Sequence, residues 1–161
     1  MQSILQKVII GVAAAAFAVS MSSVSAQSKN PGMGTFKLNV EKSKYSPGPA
    51  PKSLTVKLEP VGKGVKVTTD GISADGKPFA TEFTANYDGK DYPVKGSQAV
   101  DTVSLKRINA LTNTRTDKKG GKAVATHKRL VAKDGKTWSV DIKGKNPKGE
   151  PFNNHLVFER Q

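Results

Sequence analysis

Apolar and polar residues alternate along nine stretches of this 161-residue chain. In "SLTVKLE" (53–59), Leu54, Val56 and Leu58 share one face of an extended chain, and three polar residues share the other. A period of two is typical of a β-strand with one buried face. The pattern predicts strands at 34–39, 53–59, 64–70, 79–87, 102–108, 111–117, 122–131, 137–143 and 154–160.

Short connections rich in glycine separate these strands. Asp75-Gly76, Asp88-Gly89, Asp134-Gly135 and Gly120-Gly121 are typical of hairpin turns, because such turns need positive φ. Short turns join antiparallel neighbours, and a closed sheet removes exposed edges. We therefore expect one all-β domain over residues 27–161, an up-and-down antiparallel β-barrel of eight to ten strands. A two-sheet β-sandwich is the alternative.

The alternation also predicts which side chains fill the barrel. The expected interior residues are Leu54, Val56, Leu58, Val67, Phe83, Val103, Leu105, Val140, Ile142 and Leu156. The strand 111–117 differs, because Thr112, Thr114 and Thr116 form one face and the other carries Asn113, Arg115 and Asp117 beside Leu111. A strand with two polar faces is either a weakly packed edge, which we favour, or a wall that faces a wet cavity.

Residues 1–26 have the pattern of a Sec-type signal peptide. Lys7 precedes an apolar run at 8–21, and small residues at 24–26 predict cleavage after Ala26. The apolar run is too short to span a bilayer comfortably. The absence of cysteine excludes lipoprotein acylation, disulfides and cysteine-based metal sites. We expect a bacterial protein of the periplasm or the extracellular space that is not transmembrane after cleavage.

The charge is strongly positive and uneven. The formal net charge is +13, and removal of Lys7 with the leader leaves +12. Residues 95–161 hold fifteen basic and six acidic groups. On neighbouring strands this excess would form a basic surface that attracts polyanions such as an anionic envelope surface. Its candidate members are Lys106, Lys118, Lys119, Lys122, Lys128 and Arg129. Specific nucleic-acid binding is not expected, because aromatic residues are absent from this region until Trp138.

The chain offers little catalytic chemistry. It contains no hydrolase, nucleotide-binding or metalloprotease motif, and we expect neither enzymatic activity, nor a metal, nor a cofactor. If the strand 111–117 faces a wet cavity, a polar or anionic ligand would suit it. The candidate ligand-binding residues are Arg115, His127, Thr112 and Thr114.

The chain carries an internal repeat. Residues 62–79 and 135–152 align with seven identities, among them Gly71 with Gly144 and Phe79 with Phe152. The repeat predicts one hairpin design used twice.

The first strand, "GTFKLN" (34–39), resembles that of lipocalin-type (calycin) barrels. Their first strand carries a Gly-x-Trp motif that closes the barrel base, and a late arginine packs across the tryptophan. Gly34 matches the glycine, Phe36 stands in place of the tryptophan, and Arg160 is the candidate arginine. The chain is also similar, nearly end to end, to small secreted bacterial proteins with a "GTWKLN"-type first strand, mostly of uncharacterised function.

The lipocalin resemblance implies a barrel that binds a small amphiphilic or apolar ligand. We therefore expect a non-enzymatic binding protein, with a basic protein that contacts polyanions or the envelope surface, without a pocket, as the alternative. A barrel filled by Phe, Leu and Val would favour the alternative, whereas an open cavity would favour a ligand.

Overall fold

The computed structural model describes residues 30–161, so the predicted signal peptide lies outside the described residues. The described chain consists of ten β-strands and contains no helix. The strands are β1 (Gly34–Lys44), β2 (Ser53–Val61), β3 (Gly64–Ile72), β4 (Pro78–Asn86), β5 (Asp88–Lys95), β6 (Thr102–Arg107), β7 (Thr112–Lys119), β8 (Lys122–Val131), β9 (Thr137–Lys145) and β10 (Pro151–Arg160).

Each strand pairs antiparallel with its neighbours in sequence, and β1 pairs with both β2 and β10. The sheet therefore closes into one up-and-down barrel, as predicted, and the sandwich alternative is wrong. Closure leaves none of the ten strands at an edge, so β7 is a wall of the barrel. The favoured interpretation of 111–117 as an edge was wrong.

The fifth strand was not predicted. Residues 88–95 show little alternation, because polar residues, Gly89 and Pro93 interrupt the apolar positions Tyr92 and Val94. The Asp88-Gly89 pair, expected in a turn, begins β5. The other three predicted turns lie between strands as expected.

The barrel interior holds the predicted apolar residues. Eight of the ten expected are buried, and Leu54 and Ile142 are partly buried against the same cluster. Phe36, Val65, Val103 and Phe158 are the largest completely buried side chains. Alternation places these residues inside, because successive side chains of a strand point to opposite faces of the sheet.

One end of the barrel, here called the base, is covered by residues Asn30–Met33. Arg160 donates hydrogen bonds to the carbonyl oxygens of Pro31 (2.7 Å), Met33 (2.9 Å) and Gly135 (2.7 Å). Its guanidinium carbon also lies 4.5 Å from the ring centroid of the buried Phe36. The predicted contact between Phe36 and Arg160 is confirmed.

Aromatic residues stack at the base above this contact. Trp138 lies parallel to Phe158, with 4.0 Å between ring centroids, and meets Phe36 edge to face at 5.9 Å. Such pairs stabilise beyond the apolar area that they bury. The base is therefore filled by side chains.

The opposite end, here called the mouth, explains the internal repeat. Gly71 of β3 pairs with Phe79 of β4, and Gly144 of β9 pairs with Phe152 of β10. A Cβ built on Gly71 or Gly144 would lie 2.7 Å or 2.8 Å from the ring of the paired phenylalanine. Each ring thus covers the glycine opposite, a known way to stabilise a glycine within a sheet.

The pairing between strands is uneven around the barrel. β2 and β3 share nine paired positions, whereas β4 and β5 share two, Glu82 with Lys95 and Phe83 with Val94. The β4–β5 seam is the shortest ladder in the barrel.

Candidate functional site

The barrel encloses a cavity of about 270 Å³ above the aromatic base. Its lining extends from Trp138 and Phe158 at the base to Phe79 near the mouth, and much of it is apolar. The apolar lining residues between these limits include Leu54, Val56, Leu58, Val65, Val67, Phe83, Leu105, Val140, Ile142 and Leu156.

The polar part of the lining is concentrated on one wall, formed by β7 and β8. Asn113 is paired with Arg129, and Arg115 with His127, at alternate positions of this ladder. All four residues line the cavity. Because the register places Arg129 nearer the base and Arg115 nearer the mouth, the polar wall runs along the barrel axis.

Asp117 organises the half of this wall nearer the mouth. Its carboxylate accepts hydrogen bonds from Nε (2.5 Å) and Nη2 (2.8 Å) of Arg115. The same carboxylate lies 3.0 Å from Nε2 of His127. Burial alone would raise the pKa of Asp117, but hydrogen bonds from Arg115 and His127 outweigh it and hold the pKa well below its usual range.

This arrangement fixes the state of His127. Burial, helped by the charge of Arg115, lowers the pKa of His127, although Asp117 opposes the shift. The ring is therefore neutral at pH 7. An ionised carboxylate can accept but not donate, so Nε2 carries the ring proton and donates to Asp117, and Nδ1 is an acceptor.

Arg129 has a different environment. It is 9% exposed, and it has no carboxylate partner among the ion pairs of residues 30–161. Its Nη1 is 3.5 Å from the carbonyl oxygen of Gly32, and its guanidinium carbon lies 5.5 Å from the ring centroid of Trp138. With the Asn113 amide oriented to accept, its oxygen is 3.2 Å from Nε and 3.1 Å from Nη2. A second guanidinium thus enters the cavity without a neutralising charge.

The structure separates the four predicted ligand-binding residues. Arg115 and His127 line the cavity, as expected from their place in the alternation. Thr112 and Thr114 do not line it, because they occupy the alternate positions of β7 and point away from the interior. Thr114 instead lines a second pocket, to which Arg115 and His127 also contribute.

The structure removes one predicted member from the basic surface and pairs two others with carboxylates. Arg129 was assigned to it but is buried in the cavity, since it shares the inner face of β8 with His127. Lys118 pairs with Asp91 at 2.8 Å, and Lys119 pairs with Asp101 at 2.7 Å. These carboxylates neutralise part of the charge.

Lys106, Lys122 and Lys128 remain exposed, without a carboxylate partner among the described ion pairs. Lys106 and Lys128 flank Thr114 at the same level of the outer face.

The three residues expected to close the barrel, Gly34, Phe36 and Arg160, meet at the base. A Cβ on Gly34 would lie 2.3 Å from Nη1 of Arg160, and the φ of Gly34 is +121°. Glycine is required at this position because any side chain would displace the arginine, and its backbone is strained for other residues.

Sequence reasoning did not assign Asn113, Asp117 or Trp138 to a site. The signal for the first two was present, because they share the inner face of β7 with Arg115. Trp138 lies near the basic region in the sequence, but its place in the cavity depends on the register of β8 with β9. A single sequence does not give that register.

Within residues 30–161, no group of three or more His, Asp or Glu side chains is arranged to hold a metal ion. The same residues include no helix of the length and apolar character needed to cross a bilayer.

At the level of architecture, these features define a closed antiparallel β-barrel of ten strands over residues 30–161, with an internal cavity. No protein-family model matches the chain, and no curated protein sequence matches it. Among solved structures, the chain is similar to the crystal structure of Rv2717c from M. tuberculosis. The match has 14% identity and a TM-score of 0.49, and it covers 81% of this chain and 93% of that chain. At this level of similarity it adds nothing to the fold described above.

Proposed function

We propose that this chain is a lipocalin-like binding protein of the periplasm or the extracellular space that holds one small amphiphile in its barrel. The observation that carries the proposal is the cavity of about 270 Å³, whose apolar lining is interrupted by the arginine, histidine and asparagine side chains of β7 and β8. Ligand sites commonly combine an apolar surface with a few polar groups that fix orientation.

The distribution of small residues supports an internal site. Thr69 and Thr81, which are paired across β3 and β4, line the wall opposite β7 and β8. These residues leave space that larger apolar side chains would have filled. The volume lies near the lower end of the range of ligand pockets, so it suits a small molecule.

A neutral fluorophore that brightens in apolar surroundings, N-phenyl-1-naphthylamine, tests the proposal. We expect saturable binding of one molecule per chain and displacement by decanol. Ile142→Trp should abolish binding, because Ile142 lines the cavity and the larger ring would occupy it.

Ile108→Trp is the matched control, since Ile108 is 57% exposed and does not line the cavity. This variant should bind as the unchanged protein does. Absence of saturable binding, or equal loss in the two variants, would refute an internal site.

A second candidate function is salt-dependent association with anionic surfaces. Lys106 and Lys128 favour it, because they lie together on the outer face without carboxylate partners in the described chain. Screening weakens such contacts as salt rises.

Retention on a heparin-like resin should fall when Lys106 and Lys128 are both replaced by Glu. The same reversal at Lys44 and Lys52, outside this group, should reduce retention less. Equal losses would show that net charge alone is responsible.

A further inference from the structure

We propose that the amphiphile is anionic and binds with its charged head group deep in the barrel, against Arg129, and with its apolar tail towards the mouth. This inference depends on the proposed function, because it assigns the ligand class and its orientation within the same cavity. The proposed ligand class is any amphiphile that carries an anionic oxygen head group on an apolar tail.

The first argument is the charge inside the cavity. The guanidinium of Arg115 is matched by the carboxylate of Asp117, whereas that of Arg129 has no carboxylate partner among the described residues. His127 is neutral and adds no charge. The cavity wall formed by Asn113, Arg115, Asp117, His127 and Arg129 therefore carries one net positive charge.

The second argument is the free-energy cost of burying the charge of Arg129. Arg129 is 9% exposed, and its polar partners are the neutral oxygens of Asn113 and Gly32. A buried charge without a counter-charge is unfavourable in a surrounding of low dielectric constant. Burial accordingly lowers the pKa of Arg129. An anionic head group would supply the missing counter-charge.

The third argument is independent of the charge. The indole Nε1 of Trp138 is buried and has no hydrogen-bond acceptor. Trp138 is 6% exposed, lines the cavity, and lies against the Arg129 guanidinium. Buried donors are nearly always paired, so an unpaired one is notable. Trp138, which lies beside the Arg129 guanidinium at the deep end of the cavity, thus carries a donor without a partner.

The orientation follows from where the apolar lining lies. Val140 is level with Arg129 on the neighbouring strand, and Ile142 follows one step nearer the mouth. Leu54 and Phe79 continue the apolar lining at the mouth. A head group at Arg129 therefore places the tail along these residues.

A ligand series with one tail length tests the inference on the unchanged protein. A competition assay measures how well each ligand displaces the neutral fluorophore at concentrations below its critical micelle concentration. The four ligands are decanoate, decyl sulfate, decanol and decyltrimethylammonium. We expect each anion to bind at least about tenfold more tightly than decanol, since a hydrogen bond to a charged group is stronger than one between neutral groups. The ratio of decanoate to decyl sulfate distinguishes carboxylate from sulfate recognition. The cation should bind most weakly.

Arg129→Gln tests the residue. It should weaken decanoate binding about tenfold and change decanol binding by less than about threefold, because it removes the charge and keeps a neutral hydrogen-bond donor on a shorter side chain. Lys37→Gln removes one positive charge from the outer face of β1, away from the cavity, and should change neither affinity. Circular dichroism and thermal unfolding show whether each variant is folded.

The outcomes separate the two proposals. Equal binding of decanol and both anions by the unchanged protein would overturn the anionic site while leaving an amphiphile-binding barrel. Failure of all four ligands and of the fluorophore would overturn both. If Arg129→Gln does not fold, the ligand series on the unchanged protein still decides.

Discussion

The guanidinium carbon of Arg160 lies 4.5 Å from the ring centroid of Phe36. The same guanidinium donates to carbonyl oxygens of Pro31, Met33 and Gly135, so one side chain joins the first strand, the last strand and the segment that covers the base. The contact between Phe36 and Arg160 therefore organises the closed end of the barrel.

Phe36→Ala should lower the free energy of unfolding by about 3–5 kcal/mol, because it removes a completely buried aromatic ring. Urea titration followed by tryptophan fluorescence measures the change. Ile108→Ala, at an exposed position, should lower it by less than about 0.5 kcal/mol. Similar midpoints for the two variants would contradict the packing described for the base.

Asp117→Asn should destabilise the barrel by about 3–5 kcal/mol, because it leaves Arg115 beside a neutral partner in a mostly buried network. Asp91→Asn is the matched control. Asp91 pairs with Lys118 on the surface, where loss of an ion pair costs about 0–1 kcal/mol. Chemical denaturation of both variants at pH 7 makes the comparison, and equal small effects would argue against the role given to Asp117.

The lowered pKa of His127 predicts a pH dependence of stability. At a pH between the pKa of His127 in the folded chain and its pKa in the unfolded chain, the unfolded chain binds more protons. The free energy of unfolding therefore decreases as pH falls below about 6.5. Above this pH the contribution is fully present. His127→Gln should reduce the decrease below about pH 6.5, measured by urea titration at each pH.

His155→Gln is the control for this prediction, because His155 is an exposed residue paired with Asp141 on the outer face. If both histidine variants reproduce the pH dependence of the unchanged protein, burial of His127 does not control it. Asp117 acts in a lower range, since its pKa is held below the usual value near 3.8.

The sequence was sufficient for the architecture because the alternation is local. Leu58, Val67 and Phe83 are in phase within their own strands, so their burial follows without knowledge of the partner strands. The strand β5 was missed for the same reason. Its residues form a strand because β4 and β6 lie on either side, and pairing with neighbours is a property of the whole sheet.

The site was predictable in part. Arg115 and His127 could be proposed as cavity residues, but Arg129 was assigned to the surface although it is in phase with His127. A lone arginine is more often exposed than buried, and the alternation argues against that expectation at this position. The approach of Trp138 to Arg129 depends on the register of β8 with β9, which no local pattern encodes.

The short ladder between β4 and β5 has a consequence for motion. Two paired positions join these strands, so parting them breaks fewer backbone hydrogen bonds than parting β2 from β3. Amide protons along this seam should exchange with solvent deuterium faster than those of β2 and β3, because local opening costs less free energy there. Phe83 lies on this seam and lines the cavity, so opening of the seam would expose the cavity from the side of the barrel.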